Sequence, residues 1–262
     1  QVISKLPFKL TEAQHNTWLE IQSDLSSQRP MNRLVQGDVG SGKTVVAALA
    51  MLHCVLCGAQ AVMMAPTAIL ARQHHASLSR LLAASGEPVG LLTGATASRE
   101  RQQILADLKS GQLRLLVGTH ALIEEKVIFN NLALAVTDEQ HRFGVRQRVR
   151  LARGEHSDRQ TKPIMPHTLV MSATPIPRTL ALILYGDLDI SVIDQLPAGR
   201  QPIKTYTAAT ADRPRVESLM RRQAEQGRQV YVVCTMIEEN AETDLESAVS
   251  TFNRLAQAVF PD

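Results

Sequence analysis

An α/β fold, with a mostly parallel sheet covered by helices on both faces, is predicted by three observations. Short apolar, β-branched runs alternate with longer helical patterns along most of the 262 residues. These runs are nearly continuous in apolar residues, as strands buried on both faces are. The first run also leads straight into a glycine-rich loop, G-D-V-G-S-G-K-T at 37–44, which opens an apolar helix.

The elements follow in order. An N-terminal helix packs through Trp18. The run R-L-V-Q at 33–36 reads as a short strand, and the apolar stretch from 45 to 57 as a buried helix that Gly58 stops. Further strands are expected at 61–65, 89–92, 113–117, 132–137, 168–171 and 188–193. Helices are expected at 68–84, 98–109 and 177–184, with Ser98 capping the second and Gly111 following its end. The polar stretch 153–166 has charge, glycine and proline without periodicity, and is predicted to be a mobile loop. A second break, L-P-A-G-R-Q-P at 196–202, places a linker between a domain at 1–195 and a new start at 203–262. That start should be a strand at 203–207, a helix at 213–226, a strand at 229–234 and an amphipathic helix at 246–259. The sequence shows no solenoid-period repeat and no low-complexity tract.

Hydrophobic residues make up 44% of the chain and charged residues 20%, which supports a sizeable core and argues against wholesale disorder. The net charge of +3 is compatible with nucleic acid without arguing for it. Aromatic residues are only 3%, so a base-stacking platform is disfavoured and any nucleic-acid contact should run through phosphates. Three cysteines fit a reducing compartment rather than a disulfide framework. Cys54 and Cys57 form a C-x-x-C inside an apolar helix with no second pair, and are read as small core residues. No signal peptide or membrane-length apolar run is present, so the protein is expected to be cytoplasmic. The absence of an initiator Met and the stop at F-P-D are read as signs of a longer parent protein.

The loop at 37–44 fits G-x-x-x-x-G-K-[ST] at every fixed position. Gly37, Asp38, Gly40, Ser41, Gly42, Lys43 and Thr44 are therefore the candidate nucleotide-binding residues. Glycines let backbone N–H groups close on phosphate oxygens, and the helix N-terminus favours the anion. Lys43 can reach the β- and γ-phosphates, and Thr44 can place its hydroxyl on Mg²⁺. Asp138-Glu139-Gln140-His141 ends the apolar strand at 132–137, where a metal-holding carboxylate belongs. Asp138 would hold Mg²⁺, Glu139 would polarise the attacking water, and His141 would link the site to moving parts. Ser172-Ala173-Thr174 follows another strand, where Ser172 and Thr174 can bond the acidic motif and sense the γ-phosphate.

These residues resemble the motor core of superfamily 2 helicases. G-D-V-G-S-G-K-T is similar to its motif I, D-E-Q-H to motif II and S-A-T to motif III. The A-P-T at 65–67 and the following A-I-L-A-R-Q-H resemble motif Ia, although Ala68 stands where Glu is common. Within the superfamily, D-E-Q-H-R-F-G-V, A-T-P-I-P-R-T-L-A-L and Y-G-D-L-D resemble the RecG family of branched-DNA helicases, and Y-V-V-C-T-M-I-E-E-N resembles the start of its second motor domain. The transcription-repair coupling translocases are the alternative within the superfamily, but their acidic motif more often reads D-E-E-H. The resemblance implies a RecA-like nucleotide-hydrolysing domain, followed by the beginning of a second. It implies an ATP-dependent DNA helicase that uses ATP and Mg²⁺, binds branched or duplex DNA, and works as a monomer. It makes Lys43, Asp138 and Glu139 catalytic and Gln14, in F-K-L-T-E-A-Q, the adenine reader. It also makes Thr67, Thr93, Gly94, Thr119 and His120 the DNA contacts. The parent protein's later arginine is absent from these residues, so residues 1–262 alone should hydrolyse ATP poorly.

Other features read differently. Thr137 replaces the usual aliphatic residue and is expected to place a hydroxyl beside the metal site. The basic stretch 142–153 reads either as a DNA-facing or coupling segment or as a solvated helix face. His74-His75 sits on a helix face with no carboxylate or Cys at metal-ligand spacing, so no zinc site is expected. A non-enzymatic nucleotide switch is the rival class, but no N-K-x-D guanine reader is present.

Overall fold

Thr11 starts helix α1 (Glu12–Leu25). Its hydroxyl accepts the Gln14 N–H at 3.3 Å, and the Gln14 carboxamide oxygen accepts the Thr11 N–H at 3.0 Å. Two backbone donors that a helix start leaves unpaired are thus satisfied reciprocally. Gln14, Thr17, Trp18 and Ile21 are buried, the i, i+3, i+4, i+7 stripe of a helix with one core-facing side. In this computed structural model, residues 8–138, 165–173, 188–195, 203–235 and 247–260 are described.

After α1 come β1 (Asn32–Gly37), α2 (Lys43–Leu56), β2 (Gln60–Met64), α3 (Ala68–Leu81), β3 (Val89–Leu92), α4 (Ser98–Ser110), β4 (Leu115–Gly118), β5 (Leu132–Asp138), β6 (His167–Ser172) and β7 (Asp189–Ile193). The strands form one sheet in the order β3-β4-β2-β5-β6-β1-β7, and every pairing is parallel. All carboxyl ends therefore emerge on one edge.

The pleat sorts the two faces. Ala61, Met63, Leu134, Val136, Leu169 and Met171 point to the face covered by α1, α2 and α3. Val62, Met64, Leu92, Leu116 and Ala135 point to the other, with Ile104 and Leu108 of α4. α2 is apolar all round because it is surrounded: Val46 to Leu52 are buried without a break. Trp18 stands edge-on to His53 with centroids 5.8 Å apart, joining α1 to α2.

Several polar groups inside this packing are paired. Gln60 is 2% exposed, and its amide donates to the Leu108 and Leu113 carbonyls at 2.8 Å each while its oxygen accepts the Asn131 N–H at 2.9 Å. Arg33 donates to Asp24 at 2.7 Å, Glu20 at 3.0 Å and Ser191 at 2.8 Å, tying α1 to β1 and β7. At the start of β6, His167 Nδ1 accepts the Met31 N–H at 2.9 Å. Burial pulls the His167 pKa below its ordinary 6.5, with Asp24 opposing. Gly118 permits the close approach of β4 to β3, since a Cβ there would lie 2.2 Å from the Leu92 carbonyl oxygen.

The chain divides into two compact units, Gln1–Arg200 and Gln201–Asp262. In the second, α5 (Arg213–Glu225) and α6 (Ala248–Ala258) meet where the Arg221 guanidinium donates twice to the Val259 carbonyl, at 3.1 and 2.7 Å. Arg254 pairs with Glu217 across the same helices.

Four expectations are corrected. Ser98 is the first residue of α4, while Ala97 holds the cap position without a side-chain bond, and Gly111 does end the helix at φ 80°. The helix expected at 68–84 ends at Leu81 and gives way to a 3₁₀ turn, Ala83–Ser85. No strand forms at 203–207 or 229–234. A ladder needs a partner, and the side chains of Ile203, Tyr206, Tyr231 and Val233 lie 77–93% exposed, with no pairing among the described residues. Thr137 does not face the side that Asp138 faces. Alternation along β5 puts Asp138 with Leu134 and Val136, and Thr137 with Ala135 on the opposite face. The helix expected at 177–184, the loop over 153–164 and the linker 196–202 lie outside the described residues.

Candidate functional site

The edge where the strands end collects most of the predicted residues. β1 ends at Gly37 and passes into the loop; β5 ends at Asp138; β6 lies between them and ends at Ser172. In register, Ser172 pairs with Gln36 of β1 and Met171 pairs with Asp138 of β5. Two strand spacings, about 10 Å, thus separate the loop's strand from the acidic strand.

Gly42 caps α2 in a left-handed conformation, φ 93°, that non-glycine residues rarely adopt. A Cβ there would also stand 2.2 Å from the Gln14 amide nitrogen. That nitrogen donates to the Ser41 carbonyl at 2.7 Å. Gln14, 4% exposed, therefore caps its own helix with its oxygen and holds the phosphate loop with its nitrogen. The Lys43 ammonium donates to the Gly37 carbonyl at 2.7 Å and the Asp38 carbonyl at 3.0 Å, so it is folded over the loop it belongs to. The Ser41 hydroxyl is fully buried and has no partner among the described residues.

Asp138 is bonded from a direction the sequence did not signal. His74 Nε2 lies 2.6 Å from Asp138 Oδ2, with side chains 12% and 14% exposed. The helical spacing could have pointed to this. His74 is three residues after buried Ala71 and four before buried Leu78, on the inward stripe of α3. The carboxylate that the spacing around His74-His75 did not show is thus supplied by a distant strand.

The donors present suit magnesium. The Thr44 hydroxyl and the Asp138 carboxylate are hard oxygen ligands. An ion held by these two groups would take its other ligands from water and the phosphates of a nucleotide, the usual arrangement for Mg²⁺.

The other half of the edge is open. A hollow of about 450 Å³ is lined by Pro66, Ala68, Gly94, Thr119, His120, Ala121 and Glu124, at the ends of β2, β3 and β4. Gly94 and His120 are exposed, whereas Thr93 and Thr119 are buried. Thr67 caps α3, its hydroxyl accepting the Leu70 N–H at 3.2 Å. Thr93 turns toward Thr96, whose hydroxyl accepts the Thr93 N–H at 2.9 Å. Glu124 is paired with Arg101 at 2.5 Å, which offsets a negative charge in the hollow. Glu139, His141, Thr174 and the basic stretch 142–153 lie outside the described residues.

Comparison with known proteins decides the family. Residues 11–183 match the DEAD/DEAH box helicase family. The chain belongs to that family. Over 257 residues it is 52% identical to "ATP-dependent DNA helicase RecG" of Synechocystis sp. (strain ATCC 27184 / PCC 6803 / Kazusa), covering 98% of this chain and 30% of that relative. It is 47% identical to the RecG helicase of Aquifex aeolicus (strain VF5), covering 100% of this chain and 32% of that one. A solved structure titled "Structure of RecG bound to three-way DNA junction" superposes with a TM-score of 0.81 at 41% identity, over 99% of this chain and 33% of that one. The chain thus spans about a third of the length of the relatives it matches. The resemblance to RecG is borne out, as is the RecA-like parallel fold. Among the described residues, no helix of this helicase domain is long and apolar enough to cross a membrane.

Proposed function

We propose that the chain is the first motor domain, with the beginning of a second, of an ATP-dependent helicase that translocates on branched or duplex DNA. The observation that supports it most is the convergence on one sheet edge of the phosphate loop after β1 and Asp138 after β5, with Ser172 between them. Gln14 reads adenine beside the loop it holds. Backbone N–H groups from Gly37 to Thr44 bind the phosphates, and Lys43 moves from the loop carbonyls to the β- and γ-oxygens. Thr44 and Asp138 hold magnesium, which supplies charge neutralisation on the phosphates when bound. Glu139 orients and deprotonates the attacking water. His141, Ser172 and Thr174 carry the γ-phosphate signal toward the second unit, whose boundary falls within the proposed linker 196–202.

Thr67, Thr93, Gly94, Thr119 and His120 hold DNA phosphates at the open half of the edge. With Thr67 engaged, and Thr93 and Thr119 buried with their N–H groups bonded to Thr96 and Leu92, exposed Gly94 and His120 bear most of that contact. The close relatives named RecG and the structure bound to a three-way junction support branched DNA as the substrate. The protein acts as a cytoplasmic monomer.

The test is DNA-stimulated hydrolysis by the whole protein. Turnover of ATP but not GTP, stimulated by a three-way junction and abolished in Lys43→Ala, is expected. Equal binding of both nucleotides without turnover would point to a switch module and overturn the motor reading.

A further inference from the structure

We propose that His74 is a positioning residue for the magnesium-holding carboxylate: its hydrogen bond fixes the Asp138 side chain so that one oxygen is presented to the metal. This rests on the reading of Asp138 as the metal-holding residue.

The geometry starts with α3. Thr67 caps that helix at the carboxyl end of β2, and β2 pairs with β5, so the N-terminal part of α3 lies near the end of the strand that carries Asp138, while the helix packs on β3 and β4. Ala71 and Leu78 are both fully buried in the cluster that holds Leu134 and Val136. His74 sits between them on the same stripe, which aims its ring at the sheet rather than at water. Asp138 has the parity of Leu134 and Val136 and so meets the ring on that face.

An ionised carboxylate only accepts, so the imidazole donates its Nε2–H to Oδ2 across 2.6 Å. The bond occupies Oδ2 and leaves Oδ1 for a metal or a metal-bound water. A carboxylate at a strand end otherwise samples several rotamers, and each must be frozen when the metal arrives. Partners behind a metal ligand remove that freedom, and losing one commonly weakens metal affinity about 10–100-fold. The hydroxyl of Thr137, turned to the opposite face, does not serve this purpose.

The experiment uses the full-length protein and a non-hydrolysable fluorescent ATP analogue. Binding is titrated with Mg²⁺ and compared with binding in excess chelator. His74→Leu is expected to raise the Mg²⁺ concentration for half-maximal binding about tenfold or more, with metal-free binding unchanged. His74→Gln, whose amide N–H can take the place of Nε2–H, should restore the dependence to within about threefold of wild type, since it replaces one neutral donor by another. Asp138→Asn should shift it at least as far, and His74→Leu should add little in that background. If Asp138→Asn shifts the Mg²⁺ dependence and His74→Leu does not, the positioning role is overturned while the metal assignment stands. If Asp138→Asn leaves the dependence unchanged, the metal assignment falls and the proposal with it. Equal weakening of metal-free and Mg²⁺-supported binding in His74→Leu, unrescued by Gln, would mean that His74 only fastens α3 to the sheet, and would also overturn the proposal.

Discussion

The two halves of the sheet's carboxyl edge are built in opposite ways. Around β1, β6 and β5 the groups are held by one another: Gln14 grips the Ser41 carbonyl, Lys43 folds onto Gly37 and Asp38, and Asp138 is bonded by His74. Around β2, β3 and β4 the edge is a hollow of about 450 Å³ lined by small residues, one exposed imidazole and the Glu124 carboxylate that Arg101 pairs. The first half suits a compact, highly charged ligand met by a few closely spaced charged and polar groups. The second suits a long, repetitive backbone that slides, for which backbone donors and modest contacts are enough. Substitutions should therefore be severe and local in the first half, mild and salt-dependent in the second.

The largest contrast comes from Lys43→Ala, expected to lower hydrolysis by at least about 10²–10³-fold, the usual loss for one preorganised donor to a developing negative charge. Steady-state ATPase with and without DNA reads it. A variant with wild-type turnover would place the chemistry elsewhere. Gly42→Ala comes next. Its left-handed φ costs about 1–2 kcal/mol for a residue with a Cβ, and the new atom must displace Gln14 from 2.2 Å. A fall in thermal midpoint of about 4 °C, together with loss of analogue binding, is the expected pair.

Gln14→Ala removes both the cap and the tie to Ser41, for about 1–2 kcal/mol, and should erode ATP preference over GTP in competition binding. An unchanged preference would mean that Gln14 is only a cap. His120→Ala in the open half should weaken DNA binding about 2–10-fold, the worth of one hydrogen bond to a charged group or less. Analogue affinity should not change, and the effect should shrink at high salt. A loss of nucleotide affinity instead would erase the division between the halves.

The smallest effect lies on the opposite edge. Burial depresses the His167 pKa below 6.5, so below that pH the unfolded chain binds the proton more readily than the folded one. Stability is then undiminished above about pH 6.5 and falls as the pH drops toward the folded value. His167→Asn keeps an acceptor for the Met31 N–H without titrating. Urea midpoints between pH 7.5 and 5.5 should therefore decline less steeply in the variant than in wild type.

Much of the first half could be read from the chain, because the phosphate loop is a local device. Its glycines, lysine and threonine are consecutive, and the strand before and helix after it are visible as apolar runs of two periods. The open half was legible as positions rather than as surfaces. That Thr93 turns into its own loop and Thr119 is buried depends on the 3₁₀ turn His120–Ile123 and on β4 meeting β3, which no local pattern encodes. His74 escaped for a different reason: metal-ligand spacing was the filter, whereas its partner lies 64 residues away.

By itself the sequence determined that this is a parallel α/β nucleotide-binding domain. Buried strands must be apolar, capped helices must carry their capping groups, and a phosphate cradle requires glycine where the backbone turns left-handed. The tertiary structure decided which distant residues meet. It inserted β6 between β1 and β5, turned Thr137 away from Asp138 by the parity of one strand, and brought His74 to that carboxylate. Strand order, face and cross-element contact come from packing the two faces of the sheet at once, and no single stretch of chain contains that information.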